Sequence, residues 1–423
     1  MAGPAIRYWE FAKALSKNHE VILLVPNELD ISSDEFTIIK RCANFRKYFK
    51  QVDVIITMLV TPSMAWSAKK HGIKIILDAY DPMPFELMES DKASKMHTRQ
   101  KNQTQIVEVF NFSFKMADHV ICAHEGQRDL WTGLLLSQKK INPYQYDKDN
   151  TLKQMIDIVP FGLPSEPPVK QGIGPKSLFK LKESDKIVLW GGGILPWFDP
   201  LTLIDAIHLI SKDRADVHLV FMGANAPTAF ADGCLNDMPA KAQKYAQDLG
   251  LFEKHVFFKF GWTPYEQRTS FLLESDIGIS THFDHLETRY SFRTRLLDYI
   301  WAGLPIISTE GDSFSKLITS RGVGLTVPCK DATAVAQAIL HIVDNPQISR
   351  KMKENLEMLK AEFHWEKVVQ PLEKMIAQSF TPKRNLSILQ NIIFFVYRMR
   401  GPLFPLKIIL NRMAQRMGMA KIR

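Results

Sequence analysis

Residues 287–307, Glu-Thr-Arg-Tyr-Ser-Phe-Arg-Thr-Arg-Leu-Leu-Asp-Tyr-Ile-Trp-Ala-Gly-Leu-Pro-Ile-Ile, indicate the fold of this chain more clearly than any other stretch. Apolar residues recur at helical spacing after Ser291, whose hydroxyl suits the N-cap of a helix. Gly303 and Pro305 end that helix, and an apolar strand follows. The free N–H groups at such a helix start, with arginines beside them, can bind a phosphate or diphosphate.

The charged residues of this stretch extend the prediction to a sugar. Asp298 lies five residues beyond Arg293, where its carboxylate can accept hydrogen bonds from hydroxyls of a sugar joined to that diphosphate. Together with Glu287 and Arg295, these residues predict a nucleotide-sugar site. Taken alone, the charges also fit a solvated, arginine-rich helix with ordinary ion pairs.

The stretch resembles the donor-site signature of the GT-B glycosyltransferases, in particular the retaining family 4. That signature is Glu, seven residues, Glu, then Ala-x-Gly-x-Pro and a strand. Asp298 and residues 302–305 fall on its second half, and residues 291–293 fall on the small-Phe-Gly of the family. The first Glu falls on Tyr290, so the resemblance implies that nearby Glu287 replaces it.

A glycine-rich loop, residues 190–200, lies between a predicted strand and a predicted helix and can present N–H groups to a phosphate. The next strand ends at residues 221–223 without the acidic residue that a dinucleotide site uses for its ribose, so NAD binding is disfavoured. Family 4 enzymes carry an Arg and a Lys in this loop, at positions that fall on Gly193 and Phe198. We therefore expect Arg293 or Arg295 to supply the missing charge. The resemblance, including a nucleobase loop at 261–266, implies these donor-binding residues: Gly192, Gly193, Tyr265, Glu287, Ser291, Phe292, Arg293, Arg295 and Asp298.

In the first half, residues 78–86 end a strand and carry polar side chains toward the expected cleft. Relatives often place a His there, and this segment has none. The resemblance implies catalytic roles for Asp81, Asp78 and Arg293. It also implies an acceptor site formed by Gly3, Arg7, Tyr80 and His124.

Strands and helices alternate along both halves, which predicts two Rossmann-like domains with doubly wound parallel sheets, the GT-B plan. We place an acceptor domain at 1–163, a nucleotide-sugar domain at 164–365, a crossover helix at 366–382 and a basic amphipathic tail at 383–423. The glycine loop at residues 2–4 has no strand before it, so we expect the first, central strand to be missing.

Composition limits the function classes. The 423-residue chain is 46% apolar and has no run long enough to span a bilayer. Its four widely spaced cysteines lack a CxxC and suit a reducing cytosol. Residues 281–285 contain two histidines and an aspartate, but a third convergent ligand is not evident. We expect no metal and no cofactor beyond the nucleotide sugar as co-substrate.

The net charge of +9 lies in the tail, where residues 383–423 hold nine basic and no acidic residues. Apolar residues alternate with these cations, which predicts attachment to an anionic membrane surface on the cytoplasmic side. Nucleic-acid binding would leave the apolar residues without a partner and is not expected. A competing interpretation is that Ile392–Val396 pack on the body of the protein.

These features predict a retaining transferase that moves a hexose from a nucleotide-diphosphate sugar to a hydroxyl of a glycan or lipid-linked acceptor, in cell-surface polysaccharide synthesis. The alternative is a non-catalytic nucleotide-sugar-binding partner of a membrane-associated glycan assembly complex. The lost loop cations, Tyr290 and the missing strand favour this alternative.

Overall fold

The computed structural model describes residues 3–26, 31–40, 45–223, 236–261, 263–264, 266–379, 392 and 395–396. Within them the chain forms two halves, each built on parallel β-strands with helices between successive strands. Tyr265 and most of the tail at 383–423 lie outside the described residues, so their predicted roles stay predictions.

The first half contains these elements: α1 Gly3–Leu15, β1 Ile22–Val25, β2 Thr37–Lys40, a 3-10 helix Phe45–Lys50, β3 Val54–Thr57, α2 Pro62–His71, β4 Lys74–Asp78, α3 Met83–Ser90, α4 Met96–Met116, β5 His119–Cys122, α5 Glu125–Ser137, α6 Pro143–Lys148 and β6 Ile156–Ile158. Strands β3-β4-β5-β6 form one parallel sheet, and β1 pairs only with β2. We predicted a single sheet and did not predict β2. No described strand pairs with both β1 and β3, so the described part of this half contains two separate sheets.

The second half contains these elements: α7 Pro175–Phe179, β7 Lys186–Trp190, α8 Pro200–Ile210, β8 Val217–Phe221, α9 Met238–Asp248, β9 Val256–Phe258, α10 Arg268–Leu273, β10 Ile277–Ser280, α11 Leu286–Tyr290, α12 Thr294–Ala302, β11 Ile306–Thr309, α13 Ser315–Arg321, β12 Gly324–Val327, α14 Ala332–Val343, α15 Pro346–Lys360, α16 Trp365–Val368 and α17 Gln370–Ala377. The sheet order is β12-β11-β10-β7-β8-β9, all parallel. Strand order reverses between β7 and β10, and such a switch point leaves a crevice at the carboxyl ends of the strands.

The two halves share a hydrophobic core and are joined by two passes of the chain. Leu163 N donates to Phe363 O (2.7 Å), and Trp365 N donates to Leu163 O (3.1 Å). The backbone approaches closely there, because a Cβ on Gly162 would lie 2.5 Å from the Trp365 ring. Lys74 Nζ donates to three carbonyls at the end of α17 and thereby fixes this helix to the first half.

Two described residues of the tail pack on the body of the protein. Ile392 and Phe395 lie against the core of the first half, and the Phe395 ring is 4.4 Å from that of Phe112. At these positions the competing interpretation of the tail, packing on the body, is confirmed. Among the described residues no helix is long and apolar enough to cross a membrane.

Candidate functional site

The glycine-rich loop after β7 lies at the switch point of the second sheet. Gly192 has a φ of +91°, in the left-handed region that favours glycine. Gly191 N donates to the Tyr299 hydroxyl (2.8 Å), which also lies 3.0 Å from the carbonyl oxygens of Leu189 and Ile279. Burial raises the pKa of Tyr299 to about 12, so its hydroxyl stays neutral. Tyr299, which sequence analysis missed, thus ties α12 to the start of the loop.

Arg295 is the cation that faces this loop. Its Nη2 donates to Gly193 O (2.9 Å), and its guanidinium carbon lies 4.0 Å from the centre of the Phe198 ring and 4.5 Å from that of Trp190. Its Nη1 is buried and has no hydrogen-bond partner among the described residues. Burial lowers the pKa of Arg295 to about 10, which leaves the side chain charged at neutral pH. The guanidinium therefore lies against both positions, Gly193 and Phe198, at which family 4 enzymes carry a cation.

Arg293, two residues earlier, is already neutralised. Its Nη1 and Nη2 donate to the two carboxylate oxygens of Glu287, each at 2.7 Å, and both side chains are buried. Ser291 Oγ donates to the same carboxylate (2.7 Å). Internal donors therefore bond both carboxylate oxygens of Glu287, and its predicted contact with donor hydroxyls stays a prediction. Each candidate arginine keeps one buried donor without a partner among the described residues, Nε of Arg293 and Nη1 of Arg295, but only Arg293 is paired with a carboxylate, so Arg295 is the one whose charge is left for a ligand.

We predicted a helix with Ser291 at its N-cap, but Ser291 is not the N-cap residue of α12. It follows the last residue of α11, and α12 begins at Thr294, with Arg293 at the N-cap and no side-chain cap. Ser291 lies two residues before the N-cap, and its hydroxyl donates to the Glu287 carboxylate. The predicted C-terminus is confirmed, since Gly303 has a φ of +67° and closes α12.

Asp298 lies on the side of α12 that faces α10. It accepts from Arg268 Nε (3.2 Å), and its side chain is one-third exposed. Arg268 also lies 5.0 Å from the centre of the Trp301 ring. This ion pair was not predicted. The Asp298 carboxylate is partly exposed, and its predicted role in holding donor hydroxyls stays a prediction.

Helix α11 connects the two halves at the mouth of the crevice. The Tyr290 carbonyl accepts from His124 Nε2 (3.0 Å) and Gln127 Nε2 (2.7 Å), and the Tyr290 ring stacks on Phe85 at 5.3 Å. Burial lowers the pKa of His124, so it stays neutral. His124 is therefore bonded to the facing half in this structure, and its predicted acceptor contact stays a prediction. We call this contact region, residues 81–89, 124–127 and 285–293, the seam.

Arg7 and Asp78 form a second buried ion pair, in the first half. Arg7 Nε and Nη2 donate to the Asp78 carboxylate at 2.7 and 2.9 Å, and Arg7 also donates to the carbonyls of Val159 and Pro160. Its guanidinium lies 4.8 Å from the centre of the buried Tyr80 ring. Neither charged side chain is exposed. The predicted catalytic role of Asp78 and acceptor contacts of Arg7 and Tyr80 stay predictions, and each would require this buried cluster to open to substrate.

Asp81 and Glu86 lie at the seam and are only partly covered. Burial raises the pKa of Asp81 to about 6 and raises the pKa of Glu86 well above its usual range. Asp81 was predicted from the sequence as a catalytic residue, whereas Glu86 was not predicted. Glu86 lies five residues beyond Asp81, in the first turn of α3, and this spacing was the sequence signal that could have identified it.

Two predicted residues remain, Gly3 in the first half and Phe292 in the second. Gly3 begins α1, and a Cβ there would meet open space. Phe292 packs on Phe314 of the second half (4.9 Å) and Phe161 of the first (6.1 Å). The position of Gly3 is therefore unobstructed, whereas Phe292 contacts both halves.

Part of the second half matches a known family. Residues 176–357 match the family model of glycosyl transferases group 1. No curated protein matches the chain by sequence.

Three solved structures match over most of their length. A sucrose-phosphate synthase from Thermosynechococcus elongatus has 16% identity and a TM-score of 0.61, covering 88% of this chain and 92% of its own. A glycosyltransferase from Rickettsia africae has 14% identity and a TM-score of 0.62, covering 92% and 96%. HepE from Anabaena, solved with UDP-glucose, has 13% identity and a TM-score of 0.59, covering 89% and 97%. These likenesses establish the predicted GT-B fold, with its two Rossmann-like halves.

Proposed function

We propose that this protein is a glycosyltransferase that moves a hexose from a nucleotide-diphosphate sugar to a hydroxyl of a glycan or lipid-linked acceptor, with retention at the anomeric carbon. The observation that carries the proposal is Arg295, a charged side chain with an unused donor beside Gly193 at the switch point. The match of residues 176–357 to group 1 glycosyltransferases supports it. HepE, a structure of the same fold, binds UDP-glucose.

The chemistry follows from the placement of charge. Departure of a nucleoside diphosphate leaves growing negative charge on its phosphates. A guanidinium and backbone N–H groups fixed in advance stabilise that charge without reorganisation. Arg295 and the loop at Gly192 and Gly193 would supply these groups. Contact of the two halves at the seam would exclude the water that otherwise hydrolyses the donor.

Donor binding is tested by thermal shift of the full chain against UDP-, GDP- and ADP-sugars. A ligand that binds only the folded state raises Tm by mass action. We expect one nucleotide class to raise Tm and its free nucleoside to do so far less. A flat response to every nucleotide sugar would overturn the proposal.

Catalysis is tested separately, by slow hydrolysis of the donor that binds. An enzyme of this class releases free sugar and nucleoside diphosphate at a low rate, whereas a non-catalytic binding partner releases none. Asp81→Asn is the matched variant, since it removes one charge at the seam and leaves Arg295 in place. Hydrolysis that is absent in the wild-type chain, with donor binding intact, would favour the binding-partner alternative.

The tail is proposed to attach the protein to an anionic membrane surface, since residues 397–423 carry seven of its nine basic residues. Because Ile392 and Phe395 pack on the first half, the informative truncation removes 397–423 and leaves the packed residues in place. We expect it to abolish salt-sensitive sedimentation with phosphatidylserine vesicles while donor binding persists. Unchanged sedimentation would contradict the membrane role.

A further inference from the structure

Helix α2 carries an exposed tryptophan on the surface of the first half. Ala65 and Ala68 are buried beneath this helix, whereas Trp66 is 50% exposed, the highest value among the described tryptophans. Lys70 lies four residues further on, so it shares the outer face of α2 with Trp66. A large apolar ring next to a cation suits a membrane interface, where one part of a side chain is apolar and the other is wet.

The surface beside Trp66 is basic. The 3-10 helix of the first half packs against α2, with Phe49 in the same apolar core as the inner face of α2, and it exposes Lys47 and Lys50. Neither lysine forms an ion pair with a described residue. Residues 36–77 contain eight lysines and arginines and a single acid, Asp53, which is exposed before β3. The positive charge of this surface therefore complements an anionic partner.

The packed part of the tail ends near the start of α2. The Phe395 ring lies 4.4 Å from that of Phe112 on α4. The next residue of α4, Ser113, accepts at Oγ from the backbone N of Val60 (2.9 Å), and α2 begins two residues later. Residues 397–423, with seven basic and no acidic residues, follow along the chain. Two basic elements thus meet on one side of the first half.

We propose that the outer face of α2 and the adjoining 3-10 helix dock on an anionic membrane surface together with the tail. We call Lys47, Lys50, Trp66 and Lys70 the docking face. The Trp66 ring enters the boundary between headgroups and acyl chains, and the lysines contact anionic headgroups. The choice of partner rests on the membrane role proposed for the tail. An acidic protein would engage the lysines without placing Trp66 in an apolar medium.

The docking face and the tail act as two weak anchors on one body. A single anchor gives only marginal, reversible membrane attachment, and stable attachment takes two. Once one anchor is bound, the other is held close to the membrane and binds at a high effective concentration. Loss of either anchor therefore releases the protein, in agreement with the loss of sedimentation expected when residues 397–423 are removed.

The first test is sedimentation of the full chain with mixed phosphatidylserine–phosphatidylcholine vesicles. Trp66→Ser removes the apolar ring and should weaken binding about 10-fold. Lys70→Gln removes one cation and should weaken it about 5-fold. Leu136→Ser is the apolar control, since Leu136 on α5 is 59% exposed. Lys353→Gln is the charge control, from the exposed side of α15 in the second half. Both controls should bind as the wild type does.

The second test places Trp66 relative to the acyl chains. Vesicles that contain brominated phosphatidylcholine quench tryptophans that enter the bilayer surface. We expect quenching of wild-type fluorescence, and loss of most of that quenching in Trp66→Phe, which keeps an aromatic ring for binding. Equal quenching in the two proteins would overturn the docking face. Bound protein without quenching would also overturn it, because charge alone would then account for the contact.

The outcomes separate the docking face from the tail. Trp66→Ser and Lys70→Gln could bind as their controls do while removal of 397–423 releases the protein. This result would overturn the docking face and leave the role of the tail intact. Weaker binding of Trp66→Ser, with unchanged binding of the truncated chain, would support the docking face and contradict the tail alone. Neither measurement depends on transfer activity.

Discussion

Each half of this protein carries a buried arginine–carboxylate pair, and among the described residues the second half adds Arg295, a buried guanidinium that is not paired with a carboxylate. In the first half, Arg7 is bonded to Asp78 and to two backbone carbonyls and has no exposed surface. In the second, Arg293 is similarly bonded to Glu287, while Arg295 keeps an unpartnered nitrogen beside the glycine loop. From this difference we expect Arg293 and Glu287 to shape the site through their ion pair, while Arg295 contacts the ligand.

The largest effect is expected from Arg7. Arg7→Ala leaves the Asp78 carboxylate buried without a partner, and breaking such a pair costs about 3–5 kcal/mol. Chemical denaturation measures this loss of unfolding free energy. Lys17→Ala is the control, since Lys17 pairs with Glu366 at the surface, where a pair contributes about 0–1 kcal/mol. Normal stability with lost transfer would instead place Arg7 in contact with the acceptor.

A slightly smaller loss is expected from Arg293→Met, about 3 kcal/mol, because Glu287 then lacks its bidentate partner. The double variant Arg293→Met with Glu287→Gln removes both charges and should recover most of that loss. Unfolding free energies of the two single variants and the double variant form a double-mutant cycle. Additive losses would show that the pair is not the structural unit we describe.

The sequence was sufficient for the second half and less so for the first. The apolar runs of β7, β8 and β10 to β12 and the Gly303 C-cap could be read from local pattern alone. The N-cap could not, because α12 begins three residues after Ser291, whose hydroxyl donates instead to the nearby Glu287 carboxylate. Arg7 and Asp78 were predicted as ligand-binding residues. Their burial could not be read from local sequence, because the contact between them joins residues 71 positions apart in the chain.

A smaller effect tests the aromatic support of the two arginines. Phe198→Leu keeps apolar volume and removes the ring that both guanidinium groups contact, interactions that contribute about 0.5–2 kcal/mol. We expect nucleoside-diphosphate binding to weaken about 2- to 30-fold. Phe179→Leu is the control, since Phe179 packs on Phe257 in the same half. Calorimetric titration with UDP and GDP measures both; equal affinities for the two variants would contradict the assigned role of Phe198.

The most direct measurement compares nucleoside diphosphates with nucleosides on Arg295→Gln. Calorimetric titration with UDP and uridine, and with GDP and guanosine, separates the phosphate contacts from those of the base and ribose. Loss of a charge-assisted contact of about 1.5–3 kcal/mol predicts diphosphate binding about 10- to 150-fold weaker, with nucleoside binding unchanged. Arg289→Gln, which removes an exposed guanidinium from α11, should change neither. Equal losses of diphosphate and nucleoside affinity in Arg295→Gln would contradict the account.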